Sequence, residues 1–340
     1  MKFLRYLVLI TFCIIWAIGL SPFLVNKLMH DGVIEDGYHY GDLYRLSNLS
    51  QFQDPRKACI GYTPPPKPQT SKKSHLYVIG DSFTEDRVGK QDFSVDEYTF
   101  VHWRELLHIK LDTTETNIML MESVERHFRQ KSESRLNILI PDTATFVTKV
   151  PAPKFAHRLD NAFAANFTQD RLDALLFQND LFLTIKEWKA DFNRYVFGRV
   201  NSGVTLVNNG QDVVYYMDTD TTITSSFNEL DKYELDSIVM NVNETRDYLD
   251  SLGFQHVILS IIPNKVSVIN PEYGEYNRLI ERVYSHPKLG VPYIDVLPEF
   301  RKMGNKAYQN GDSHWTCEGQ YLWLDKANAL IRKLLTGDSV

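Results

Sequence analysis

Cysteine is scarce in this chain. Three thiols in 340 residues exclude a disulfide-built scaffold and a four-cysteine zinc site. An excess of positive charge is missing too, since 37 Lys and Arg stand against 43 Asp and Glu, a formal net charge of −6. A general nucleic-acid binder needs a basic face for phosphate, so no nucleic-acid partner is expected. There is no phosphate loop, dinucleotide fingerprint or zinc-ligand set, and Asp218-Thr219-Asp220 lacks the glycine and distal glutamate of a calcium loop. Neither a metal nor a cofactor is therefore expected. Internal repeats and low-complexity tracts are absent, and a second long apolar run does not follow the first, which excludes a polytopic membrane protein. The remaining composition, 43% hydrophobic and 24% charged, is that of an ordinary globular protein. The length suits one large domain or two small ones.

The one long apolar run is Tyr6 to Val25, preceded by Lys2 and Arg5. As a helix rising ~1.5 Å per residue it would cross a hydrocarbon core of ~30 Å. The cationic start favours an amino end in the cytoplasm and the rest of the chain outside, in the periplasm or at the cell surface. A cleaved signal peptide is the alternative, with Ala17-Ile18-Gly19 offering small residues. Residues 1–27 are read as the anchor because the apolar run continues through Phe23, Leu24 and Val25. Outside the cytoplasm thiols can oxidise. Cys13 falls in the apolar run, leaving Cys59 and Cys317 either as one pair or as two free thiols.

Residues 28–73 read as a stalk, with Thr63-Pro64-Pro65-Pro66-Lys67-Pro68 stiff and extended. From His75 the character changes. Apolar strand candidates at Leu76–Ile79, Asn117–Met121, Val257–Ile262 and Pro292–Val296 alternate with helical stretches near 98–111, 230–252, 272–284 and 318–335. That alternation indicates an α/β domain over 74–340, with a parallel sheet covered on both faces and a site at the strands' carboxyl ends. Residues 141–229 interrupt the rhythm with a helix near 169–197 and a strand-like 212–217. They read as an insertion in the same domain.

Gly80-Asp81-Ser82-Phe83 directly follows the first strand. A serine in a tight turn at a strand's carboxyl end can present its hydroxyl and its own N–H to a developing oxyanion, provided a base lies within reach. Far downstream, Gly311-Asp312-Ser313-His314-Trp315 precedes a helix. In an extended segment the side chains of Asp312 and His314 emerge on one side, so the carboxylate can hold Nδ1 and leave Nε2 as the base. Each motif alone also fits a turn or a helix cap. Together they bring nucleophile, base and orienting acid to one sheet edge, which is the arrangement acyl transfer needs.

On these residues the chain resembles the SGNH/GDSL hydrolase superfamily, and within it the alginate O-acetyltransferase-like branch, whose Asp-x-His is followed by Trp. Ile262-Pro263-Asn264-Lys265-Val266 and Glu122-Ser123-Val124-Glu125-Arg126 are similar to two further segments of that branch. The superfamily's glycine of block two and its Gly-x-Asn-Asp of block three find no counterpart. The resemblance implies a three-layer αβα sandwich and O-acyl transfer through an acyl-serine, with Ser82 as nucleophile, His314 as base then acid, and Asp312 as orienting carboxylate. Ser82 N–H is the one oxyanion donor it supplies.

Three further residues are candidates for substrate binding. Arg126 can meet a substrate carboxylate or an oxyanion, or instead pair with Glu122 four residues earlier. Lys265 is a similar case. Trp315 can stack on a sugar or simply pack. The resemblance implies a membrane-anchored O-acyltransferase, acetyl being the expected group, that modifies an exported or cell-surface polysaccharide with acyl groups passed outward by a multi-pass membrane O-acyltransferase. The rival readings are a carbohydrate esterase with the same three residues and a non-catalytic glycan-binding protein of the same fold.

Overall fold

The computed structural model describes residues 2–109, 111–141 and 168–337. In chain order the elements are α1 (Lys2–Leu20), α2 (Pro22–His30), α3 (Asp42–Ser47), β1 (Ser74–Gly80), β2 (Glu97–His102), β3 (Leu107–Ile109), β4 (Thr116–Val124), α4 (Glu125–Lys131), β5 (Leu139–Pro141), α5 (Thr168–Phe177), α6 (Asp180–Phe197), β6 (Val204–Val207), β7 (Asp212–Tyr215), α7 (Lys232–Leu252), β8 (His256–Ile262), α8 (Lys265–Ile269), α9 (Leu279–Tyr284), β9 (Tyr293–Ile294), α10 (Leu297–Met303) and α11 (Cys317–Thr336). They fall into two compact units, one within Met1–Arg56 and Phe146–Asn201, the other within Lys57–Thr145 and Ser202–Val340.

The larger unit is built on a five-stranded sheet in the order β2-β1-β4-β8-β9, every pairing parallel. β1, β4 and β8 are buried along almost their whole length, as their unbroken apolar runs require. The register aligns Ile79 with Met121 and Val124 with Ile262, bringing the carboxyl ends of the central strands level. The chain leaves β1 for β2 on one side and returns to β4 on the other, so the order reverses between β1 and β4. Open parallel sheets bind ligands in the crevice at such a reversal.

Several sequence expectations are corrected here. The stretch read as a helix at 98–111 is strand β2 and, after a turn, β3. Tyr98-Thr99-Phe100-Val101 is rich in strand formers, and pairing with β1 outweighs its helical spacing. The helix expected at 272–284 forms only over α9, because Pro271 starts a separate short turn and Arg278 adopts a left-handed φ of 57°. The apolar run at the amino end is two helices rather than one. Pro22 cannot continue α1, and Ser21 caps α2 by accepting from Leu24 N–H at 3.3 Å.

The domain boundaries move as well. Residues 57–73 are fastened to the sheet unit rather than forming a stalk. Tyr62 Oη donates to Asp325 Oδ1 at 2.9 Å, Ser94 Oγ donates to Pro65 O at 2.5 Å, and Lys67 pairs with Asp96 at 2.6 Å. Cys59 and Cys317 form a disulfide, which decides between the two states left open by the sequence. The presumed insertion divides. Residues 202–229 belong to the sheet unit, while α5 and α6 join the amino-terminal helices in the smaller one. Residues 142–167 of that stretch lie outside the described residues. The helix foreseen at 169–197 is broken at Gln178-Asn179, where Asn179 Oδ1 accepts from Phe182 N–H at 3.3 Å and starts α6.

Candidate active site

Ser82 sits two residues beyond β1, and its side chain is exposed. The turn is tight because Gly80 lets β4 come close. A Cβ at Gly80 would collide with Thr84 Oγ1 and lie 2.9 Å from Glu122 Oε2. Thr84 and Glu85 N–H both donate to Asp81 O, at 3.0 and 2.9 Å, and Arg87 Nε donates to Ser82 O at 2.9 Å. These bonds occupy the carbonyls of the turn. Among the described residues the Ser82 N–H meets no acceptor, which leaves it available to an incoming oxygen.

His314 and Asp312 come from the loop between α10 and α11. That loop is pinched at its base, where Gln309 N–H donates to His314 O at 3.0 Å and Thr316 N–H donates to Ala307 O at 2.9 Å. The segment is a turn rather than the extended run considered above. Asp312 Oδ1 accepts the His314 backbone N–H at 2.9 Å, as short acidic side chains do two residues ahead of themselves. The same oxygen lies 2.5 Å from His314 Nδ1. His314 Nε2 in turn lies 2.9 Å from Ser82 Oγ, across 232 residues of chain. Asp312 is buried and the imidazole is almost so, with the ring of Phe83 4.8 Å from it, centroid to centroid. With the Nδ1 proton held by a buried carboxylate, Nε2 is left to accept the hydroxyl proton.

A charged brace that the sequence did not reveal stands behind the serine. Asp81 is buried; its Oδ1 accepts Phe83 N–H at 3.2 Å, while Oδ2 accepts Val124 N–H at 3.0 Å and Lys131 Nζ at 3.1 Å. Burial alone would lift this carboxyl, but the Lys131 ammonium and the two N–H groups outweigh it and hold Asp81 below the usual carboxylate range. Glu122 Oε2 accepts Asp81 N–H at 2.9 Å and Thr84 Oγ1 at 2.8 Å. Complete burial, reinforced by the neighbouring Asp81 carboxylate, pushes Glu122 well above its ordinary value. The two carboxyls are thus pushed in opposite directions, Asp81 toward the charged form and Glu122 toward the protonated one.

The three candidate binding residues are placed differently from Ser82, Asp312 and His314. Trp315 is 1% exposed, in an edge-on contact with Phe83 and against Trp323, so its ring cannot stack on a sugar. Lys265 is buried, and its Nζ donates to the carbonyls of Gln309, Asn310 and Asp312 at 2.7, 2.9 and 3.2 Å. It is a latch from the end of β8 onto the loop bearing Asp312 and His314, and its ammonium is spent on that loop instead of a ligand. Arg126 is also buried, with Nε 3.2 Å from Asp218 Oδ1 and its guanidinium over the Tyr215 ring. Its partner is therefore Asp218, not Glu122, and the sequence reading of Asp218 as a plain turn residue missed this buried ion pair.

The one signal that could have pointed to the brace is the acidic residue directly before the candidate nucleophile, to which the sequence reading gave no role. Lys131 and Glu122 gave none, because their roles depend on which strand lies next to β1. Comparison with protein-family models, curated proteins and solved structures finds no match to this chain.

Proposed function

We propose that this protein is a membrane-anchored O-acyltransferase acting outside the cytoplasm, with acetyl as the group carried and a polysaccharide hydroxyl as acceptor. One observation carries the reading: the chain of contacts from Ser82 Oγ through His314 to buried Asp312, at 2.9 and 2.5 Å, at the carboxyl edge of a parallel sheet. In this mechanism His314 Nε2 takes the Ser82 proton as Oγ attacks the acyl carbonyl carbon. The oxyanion is met by Ser82 N–H. His314 then returns the proton to the departing donor oxygen, leaving acyl-Ser82. In the second half an acceptor hydroxyl gives its proton to His314 and attacks the acyl carbon, and Ser82 leaves with that proton restored.

The strand order and the two-sided burial of β1, β4 and β8 support the finer fold reading, a three-layer αβα sandwich of the SGNH hydrolase kind. The Cys59–Cys317 disulfide supports an oxidising compartment, and Lys2 and Arg5 ahead of α1 support a cytoplasmic amino end. The donor would be a multi-pass membrane O-acyltransferase that passes acyl groups outward.

The test is the detergent-solubilised full chain incubated with an activated acetyl ester, with and without oligosaccharides. Acetylated sugar supports transfer. Acetate release alone makes the protein an esterase. Absence of both, in a folded sample whose Ser82 a fluorophosphonate does not label, removes the enzymatic reading.

A further inference from the structure

The smaller unit carries a surface that the proposed chemistry does not use. Helix α6 is amphipathic in a sharply divided way. One face holds it to the amino-terminal segment. Leu183 is buried there, Tyr44 Oη donates to Glu187 Oε1 at 2.7 Å, Ser50 Oγ donates to Asp191 Oδ2 at 3.0 Å, and Arg194 Nη1 donates to Gln51 Oε1 at 2.7 Å. The opposite face is a bare apolar stripe. Leu181, Ile185, Trp188, Phe192, Tyr195 and Val196 are each between 48% and 78% exposed. At ~100° per residue these six positions span about 100° of the helix circumference, and no charged residue interrupts them. Water-soluble surfaces rarely present a contiguous stripe of that kind.

The same unit holds the one apolar helix long enough to span a bilayer among the described residues, and the two are joined. Nineteen residues of α1 rise ~28 Å, close to the thickness of a hydrocarbon core. α1 is exposed nearly throughout, but Gly19, at its carboxyl end, is buried. Arg171 Nε of α5 donates to Gly19 O at 2.7 Å, and a Cβ on Gly19 would lie 2.7 Å from Leu172 Cγ. Helix α5 is thereby pinned to the point where a spanning α1 leaves the hydrocarbon, and α6 follows it after Gln178-Asn179, with Lys186 of α6 paired to Asp173 of α5 at 3.3 Å. A helix held at that level with Trp188, Phe192 and Tyr195 outward meets headgroups and upper acyl chains, the environment aromatic side chains with a polar tip prefer.

We propose that the apolar stripe of α6 lies in the lipid interface of the outer leaflet, as a second membrane contact of the smaller unit beside α1. The proposal rests on α1 being retained as an anchor, and the buried Gly19 contact with α5 is what a cleavage at that site would destroy.

The test uses the full chain in nanodiscs of phosphatidylcholine and phosphatidylglycerol carrying nitroxide labels at a shallow or a deep acyl position. Cys13, the free thiol in α1, takes an environment-sensitive fluorophore in the native chain. Trp188→Cys and, separately, Tyr195→Cys take it in a Cys13→Ala background, with Tyr233→Cys as the aqueous reference. The expected result is deep-nitroxide quenching at position 13. At 188 and 195, shallow-nitroxide quenching should exceed that at 233 by about twofold or more, with matching protection from aqueous iodide. Deep quenching at 13 together with iodide access at 188 and 195 equal to that at 233 overturns the proposal and leaves the anchor standing. Protection from iodide without lipid quenching also overturns it, since the stripe is then covered by protein. Loss of lipid quenching at position 13 sinks the anchor reading and this proposal with it.

Discussion

Glu125 begins α4 at the carboxyl end of β4, wholly enclosed. Its Oε2 accepts Asn264 N–H at 2.8 Å and Ser267 Oγ at 2.7 Å, and Tyr276 Oη lies 3.4 Å from Oε1. Burial lifts its pKa from an ordinary 4.5 to about 7, against the pull of those two donors. The consequence for stability has a definite sign. Below pH 4.5 folded and unfolded chains both hold the proton. As pH rises from 4.5 to about 7 the unfolded chain gives its proton up while the folded one keeps it. Folding then requires proton uptake, and stability falls through this window. At ~1.36 kcal/mol per pH unit the loss sums to about 3 kcal/mol and levels off above pH 7. Glu125→Gln keeps the shape and both acceptor contacts but has no proton to lose. The expected outcome, from urea unfolding of the full chain followed by near-ultraviolet circular dichroism, is near-equal stability at pH 4.5 and a variant more stable by about 3 kcal/mol at pH 8. A difference that does not change between those pH values refutes the reasoning. So does a variant several kcal/mol weaker at pH 8, which would mean that the native fold needs the carboxylate ionised.

Asp312→Asn disturbs the Nδ1 proton that the carboxylate holds, and is expected to lower acyl turnover by ~10²–10⁴-fold while circular dichroism stays unchanged; turnover within twofold of wild type counts against Asp312 as the orienting acid. Lys265→Met deprives three loop carbonyls of their shared donor, and unfolding measurements should find a loss of ~2–4 kcal/mol. Its turnover should also fall, because the same loop carries His314. Removing the disulfide by paired Cys59→Ser and Cys317→Ser substitution releases a crosslink across 258 residues, and chain entropy sets an upper limit of about 6 kcal/mol on the loss in the same measurement. Gly80→Ala forces a Cβ against Thr84 and Glu122 and is expected to cost ~1–3 kcal/mol, with weaker labelling of Ser82 by a fluorophosphonate.

The central strands and α7 and α11 were legible because each is a long, uniform pattern: β1, β4 and β8 are unbroken apolar runs, and the two helices repeat at helical spacing over some twenty residues. Short or edge elements were not. β2 mixes Tyr, Thr, Phe and Val with exposed Glu97, and only its place beside β1 makes it a strand. The meeting of Ser82 with the Asp312–His314 pair could be anticipated from the two motifs taken together, since one follows the first strand and the other the last, and both then open at the same sheet edge. What holds the groups in place could not be. Lys265 read as a ligand contact because it follows a core strand in a segment similar to one of the resembled branch, and Trp315 because an indole beside a reactive histidine suggests recognition, yet both are spent on the loop and the core. Asp81, Lys131, Glu122 and the Arg126–Asp218 pair are brought together by sheet register, which no local pattern encodes. The two-unit division escaped for the same reason: α5 and α6 lie far along the chain from the amino-terminal helices they accompany.

The central claim is that the Ser82 hydroxyl becomes acylated with His314 as its base. Intact-protein and peptide mass spectrometry, milliseconds to seconds after mixing the full chain with an activated acetyl ester, tests it directly. The account predicts one acetyl group per chain, carried on the peptide containing Ser82, gone in Ser82→Ala and formed at least ~10³-fold more slowly in His314→Ala. An unmodified Ser82 in a folded sample that still turns the ester over, or an adduct that forms at the same rate without His314, would contradict it.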